Sequence, residues 1–128
     1  MTAIVGQNGV GRSATGSKTL TTAYVPLTGW MTLTVPPNST ASLIKVKGSI
    51  ASGAPTKLSI QVASDATGDD IIIPSTEATL ATGLTTLATV VAVFEVEANL
   101  FGNRTIYIHA KVDAGTVTWT EVEMSIRD

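Results

Sequence analysis

Apolar and polar residues alternate with a period of two along most of this chain, the pattern of strands with one face buried and one face wet. Lys57–Ala63 sets Leu58, Ile60 and Val62 on one side. Ser42–Ile50 sets Ile44, Val46 and Ile50 against Lys45 and Lys47, and Trp30–Val35 sets Met31, Leu33 and Val35 against Trp30, Thr32 and Thr34. Ala88–Phe101 carries Val90, Ala92, Phe94, Val96, Ala98 and Leu100 on one face, while Val91 and Val93 make its first half apolar on both. That doubling predicts a strand covered on both sides or lying at a subunit contact. Thr105–Val112 places Ile106, Ile108, Ala110 and Val112 opposite Tyr107, His109, Lys111 and Asp113. In Thr116–Ile126 the phase of Val117 and Trp119 slips by one before Val122, Met124 and Ile126, which predicts a β-bulge near Thr120–Glu121.

The breaks between these runs are turn-forming. Pro26, Pro36-Pro37-Asn38 and Ser52-Gly53-Ala54-Pro55 end strands, and Ser64–Asp70 is an acidic turn followed by the short run Ile71-Ile72-Ile73 and Pro74. Asp113-Ala114-Gly115 reads as the turn of a hairpin between the last two strands, with glycine at the positive φ. Thr19–Val25 adds a further strand. Ser75–Thr86 reads either as a short capped helix from Glu77 or, on its Thr-rich composition, as an extended loop. About eight strands at roughly ten-residue spacing with no convincing helix predict an all-β, single-domain antiparallel β-sandwich, jelly-roll-like, over residues 19–128. Residues 1–18, rich in Gly and Ser, read as a flexible N-terminal arm anchored only by Ile4, Val5 and Val10.

Composition narrows the function. An apolar fraction of 44% excludes a disordered chain, and the 14% charged fraction, with Thr the commonest residue, suits strands whose surfaces end against other subunits. Without cysteine, neither a disulfide framework nor a thiolate metal site is available. The opening residues lack a basic region followed by an apolar run, so no secretory signal is expected. Residues 1–64 hold five basic and no acidic residues, whereas residues 65–128 hold ten acidic and three basic. Either strands of the two halves interleave and mix the charge, or a basic N-terminal region docks on an acidic partner.

Candidate chemistry is sparse. Gly9-Val10-Gly11-Arg12-Ser13-Ala14 matches the glycine spacing of a dinucleotide loop, but the first acid in the chain is Asp65 and no helix is expected to follow. His109, the single histidine, has Asp113 four residues along its own strand face, about 13 Å away at strand rise, so no triad forms locally. Asp65, Asp69 and Asp70 share one turn without EF-hand spacing. Glu95/Glu97 and Glu121/Glu123 alternate on strands, the wet face of a sheet more often than the facing carboxylates of a glycosidase. Trp30, Tyr24, Tyr107 and Trp119 are the aromatics available for sugar stacking, with the tryptophans better suited to a core. No catalytic residue, cofactor or metal is assigned, and nucleic-acid and membrane partners are not expected.

The run Ile71–Thr86, IIIPSTEATLATGLTT, and the ending Ile106–Thr118 resemble segments of small tailed-bacteriophage virion proteins. That resemblance implies a mobile arm followed by a jelly-roll-like domain that decorates or cements a capsid, often as a trimer. It implies a non-enzymatic structural protein on the virion surface, made in the host cytoplasm, with the major capsid protein and its own copies as partners. In that reading the arm residues Ile4, Val5, Val10, Arg12 and Lys18 make the partner contact. The alternative is a host-glycan-binding module of a phage fibre or adhesin.

Overall fold

In this computed structural model the described residues are 3–4, 11–29, 33–34, 41–81, 85–96 and 106–127. They form ten strands and, among the described residues, no helix. β1 (Ala3–Ile4) pairs in parallel with β4 (Leu33–Thr34). The other eight are β2 (Gly11–Leu20), β3 (Val25–Gly29), β5 (Ala41–Ser52), β6 (Lys57–Ala63), β7 (Ile71–Thr79), β8 (Thr89–Val96), β9 (Tyr107–Val112) and β10 (Thr116–Arg127). They make two antiparallel four-stranded sheets, ordered β2-β10-β5-β8 and β3-β9-β6-β7. Successive strands change sheet at almost every connection, which is the double Greek key of a jelly roll. The expected β-sandwich is present.

The alternation explains the core. Ile44, Val46 and Ile50 of β5, Val90, Ala92 and Phe94 of β8, and Val117, Trp119, Val122 and Met124 of β10 are buried. They meet Leu58, Ile60 and Val62 of β6 and Ile108, Ala110 and Val112 of β9 from the other sheet, with Ile106 just before β9. The phase slip in β10 is a bulge: the register to both neighbours shifts between Trp119 and Glu121, so Val122 and Met124 return to the core.

Four expectations are corrected. First, residues 11–18 are not arm: Gly11–Leu20 is β2, the edge strand beside β10, paired from Val117↔Leu20 to Ser125↔Gly11. Its Gly16 is required by what lies beneath, because a Cβ there would overlap the Trp119 ring. Second, the strand expected over Thr19–Val25 is divided: β2 ends at Leu20, and β3 starts at Val25 and runs through Pro26. Pro26 is tolerated because β3 is an edge strand needing ladder bonds on one side only. Third, β7 continues past Pro74 to Thr79, on the edge of its sheet and with a register shift toward β6 at that point.

Fourth, β9 and β10 are not a hairpin, since they belong to opposite sheets. Both strands aim their apolar faces at the same core, so Asp113-Ala114-Gly115 carries the chain across the sandwich instead of folding it flat. The β5–β6 connection crosses at the same place, with Gly53 (φ 73°) against Gly115 (φ 64°) and the Ser52 and Thr116 hydroxyls 2.7 Å apart. Asp113 joins the two crossings. Its Oδ1 accepts from the amides of Thr56 (2.8 Å) and Lys57 (3.0 Å), and its Oδ2 accepts from the Thr56 hydroxyl.

These donors, the Thr56 hydroxyl foremost, lower the Asp113 carboxyl from 3.8 to about 2. A folded-state value below the unfolded one means stability that is present above about pH 4 and is lost as pH falls through about 2. The group is exposed, and screening reduces the contribution to about 1–2 kcal/mol. Urea midpoints are expected to favour the native chain over Asp113→Asn near neutrality and to converge near pH 2. An equal gap at both pH values contradicts this role.

Candidate functional site

The outer surfaces of the two sheets differ in character. On β2-β10-β5-β8 the outward positions of β5 and β10 are charged and matched. Lys45 bonds Glu123 and Lys47 bonds Glu121, both at 3.3 Å, and the Lys45 hydrogen bond is the main cause of the lowered Glu123 carboxyl pKa. With Lys57–Glu77 at 3.2 Å on the other sheet, three bases from the first half meet three acids from the second. Interleaving therefore mixes the charge, and no basic N-terminal face results from these lysines. Glu121 and Glu123 are occupied as ladder partners of lysines. Glu95 sits on the edge strand β8 opposite Leu43, and Glu97 lies outside the described residues.

The outer face of β3-β9-β6-β7 is polar, aromatic and partly enclosed. Pairing aligns Lys111 with Ser59 and Glu77, and His109 with Gln61 and Pro26. Tyr107 pairs with Ala63 and Gly29. At one side Tyr24 lies over this face: its hydroxyl hydrogen-bonds Ser75 of β7, and the Lys111 ammonium stands 4.8 Å from its ring centroid, a cation–π contact. At the other side the β6–β7 loop folds back. His109 Nε2 donates to the Asp65 carbonyl at 3.2 Å, and a Cβ at Gly68 (φ 82°) would lie 3.2 Å from Gln61 Nε2 and 3.5 Å from His109 Cε1. Ser59 and His109, outward by strand phase, are consequently 6% and 2% exposed. Tyr24, Gln61, Tyr107 and Lys111 remain half-buried between loop and tyrosine.

The acidic turn is organised by its own chain. The Asp65 carboxylate accepts from the Thr67 hydroxyl (2.7 Å) and from the amides of Asp69 and Asp70 (3.2 Å each), which lowers its pKa, the Thr67 bond first. Asp70 accepts from the Ser64 hydroxyl, and Asp69 from Thr67 at 3.0 Å. Among the described residues no group of three or more potential ligands gathers around one point. The loop's geometry instead holds Gly68 and the Asp65 carbonyl over the sheet.

Of the arm residues, Ile4 lies in β1 opposite Thr34, Arg12 opposite Met124 and Lys18 opposite Trp119, while Val5 and Val10 lie outside the described residues. Ile4 is thus in the small parallel pair, and Arg12 and Lys18 are six positions apart along the same sheet edge. Gly11–Ala14, part of the dinucleotide-like run, is strand and leads into no helix. Among the aromatics, Tyr24 and Tyr107 share the outer face of the second sheet, Trp119 is core, and Trp30 lies outside the described residues. Sequence reasoning missed Ser59, Gln61 and Ser75; their only signal was polarity at alternate positions.

No protein-family model matches this chain, and no curated protein matches its sequence. Solved structures do share its shape. The C-terminal CBM6 of LamC, a marine laminarinase from Zobellia galactanivorans, aligns with a TM-score of 0.54 at 9% identity, over 92% of this chain and 99% of that one. A second similar structure is a carbohydrate-binding module, CBM6cm-2, of Cellvibrio mixtus lichenase 5A in complex with cellotriose. It has a TM-score of 0.42 and 13% identity over 89% and 88% of the two chains. A pilus protein of Bacillus endospore appendages gives 0.41 and 14% over 92% and 85%. The LamC likeness establishes the β-sandwich fold.

Proposed function

We propose that this chain is a non-catalytic carbohydrate-binding module whose site is the outer face of the β3-β9-β6-β7 sheet. The observation that carries the reading is the grouping of Tyr24, Tyr107, Gln61 and Lys111 on one face. Sugars are bound by aromatic rings that cover C–H faces and by amide, ammonium and carboxylate groups that meet hydroxyls, and this face offers both. The fold it shares with the carbohydrate-binding module of LamC supports the same reading. Catalysis is not part of it: Glu121 and Glu123 are matched to lysines, and His109 is turned to a backbone carbonyl.

The test is a glycan array of bacterial-surface and algal polysaccharides, read with the native chain and with Tyr24→Ala and Lys111→Ala. Both side chains are half-buried on the surface, so both variants are expected to keep the native circular dichroism. Loss of Tyr24 is expected to weaken binding about tenfold or more. No retained glycan, or equal retention by Tyr24→Ala, overturns the proposal.

A second reading, decoration of a bacteriophage capsid, is favoured by the strip of Val91 and Val93 left uncovered on β8. It predicts binding to assembled shells regardless of Tyr24.

A further inference from the structure

The four sheet edges are not equally protected. β3 carries Pro26 and a register shift between Pro26 and Thr28, and β7 carries Pro74 and shifts against β6. β2 is broken in register between Thr15 and Lys18 and has an exposed lysine there. Proline, bulges and lysine are the devices by which edge strands avoid pairing with another chain. β8 has none of them. It pairs with β5 over eight consecutive positions, Thr89↔Ser49 through Val96↔Ser42, without a shift, and nothing among the described residues pairs with its other side. Its outward side chains include Val91 at 48% and Val93 at 53% exposure.

We infer that the free edge of β8 pairs antiparallel with β8 of a second copy, across a two-fold axis at Ala92. This register is the one that makes the strand self-complementary. Val91 of each copy then stands opposite Val93 of the other, and Thr89 opposite Glu95, so no carboxylate faces a carboxylate. Moving the axis to Val93 sets Val91 against Glu95, and moving it to Val91 shortens the overlap and leaves Glu95 without an opposite residue within the strand. The neighbouring outward residues on β5, Lys45 and Lys47, are already neutralised by Glu123 and Glu121, so no unmatched lysine repels its copy beside the four valines. The result is a continuous eight-stranded sheet, with the polar-aromatic face of each copy on its other sheet. The interface is one strand pair wide, which puts it at the small end of specific contacts and makes association concentration-dependent. This inference does not rest on the carbohydrate reading.

Light scattering over a dilution series is expected to give a mass rising from 13.2 kDa toward twice that value. The Val91→Lys/Val93→Lys variant, altered only at exposed positions, is expected to stay monomeric throughout with native circular dichroism. The register is tested by mixing two single variants, Val91→Cys and Val93→Cys, in a chain that has no other cysteine. Directly opposed residues on one face lie within cross-linking reach, so the mixture is expected to form disulfide-linked dimer several-fold faster than either variant alone. A wild-type monomer at all concentrations, a trimer unaffected by the lysines, or equal cross-linking of mixture and single variants would each overturn the inference.

Discussion

Gly115→Ala is expected to cost about 2–5 kcal/mol and to lower the melting temperature on the order of 10 °C. Two effects add. The residue holds φ at 64°, where a Cβ crowds the following carbonyl, and the new methyl would overlap the Ser52 carbonyl oxygen and approach the Gly53 Cα to 2.9 Å. The obstacle is backbone on both sides, so no side chain can rotate away. Gly115→Asn separates the contributions, since asparagine tolerates a left-handed φ but still carries the Cβ. Equal losses in the two variants identify the contact between the crossings as the dominant cause, whereas recovery in Gly115→Asn identifies backbone strain. Unchanged stability in both contradicts the close approach of Gly53 and Gly115.

Trp119→Ala is expected to cost about 3–5 kcal/mol, the range for removing a buried large aromatic side chain. The side chain is 2% exposed, packs beneath Gly16, and has an Nε1–H with no hydrogen-bond partner among the described residues. Trp119→Phe, which keeps most of the ring and removes that unpartnered donor, is expected to lose far less. Gly16→Ala is expected to destabilise through the same contact by displacing the ring. Denaturant midpoints of the three variants check the order Ala at 119 worst, Phe mildest. A neutral Gly16→Ala would mean that β2 does not lie over Trp119. Removing residues 1–18 is expected to unfold the domain, because it strips most of β2 from β10.

Much of the fold was legible in side-chain alternation because both faces of most strands are told apart by polarity. β6, β8 and β10 announced their core residues, and the skipped beat at Thr120 announced the bulge. β2 did not announce itself. An edge strand contributes backbone pairing more than apolar side chains, and its key feature is the absence of a side chain at Gly16, which a linker shows equally. Alternation alone does not tell a β9–β10 hairpin from a crossing, because a short turn with a positive-φ glycine serves equally to fold a ribbon or to cross a sandwich. Only the shared core of Ile108, Val112, Val117 and Trp119 decides between them. The extension of β7 past Pro74 is not legible in the segment, because an edge position, which makes proline acceptable, is a property of the sheet.

The candidate site was half legible. Tyr24 and Tyr107 stood out as aromatics in a chain poor in them, but nothing local put them on one surface. Their meeting depends on the pairing of β3 with β9 and of β9 with β6. The burial of His109 and Ser59 on a face that alternation calls wet comes from Gly68 and Tyr24 folding over it, and loops carry no period to read.

The most direct test of the carbohydrate reading is a titration of isotopically labelled protein with the best-retained array glycan, following backbone amide shifts residue by residue. Changes concentrated at Tyr24, Ser59, Gln61, Tyr107, His109 and Lys111 are the predicted result. Changes confined to the β2-β10-β5-β8 face, or none at saturating sugar, would contradict it.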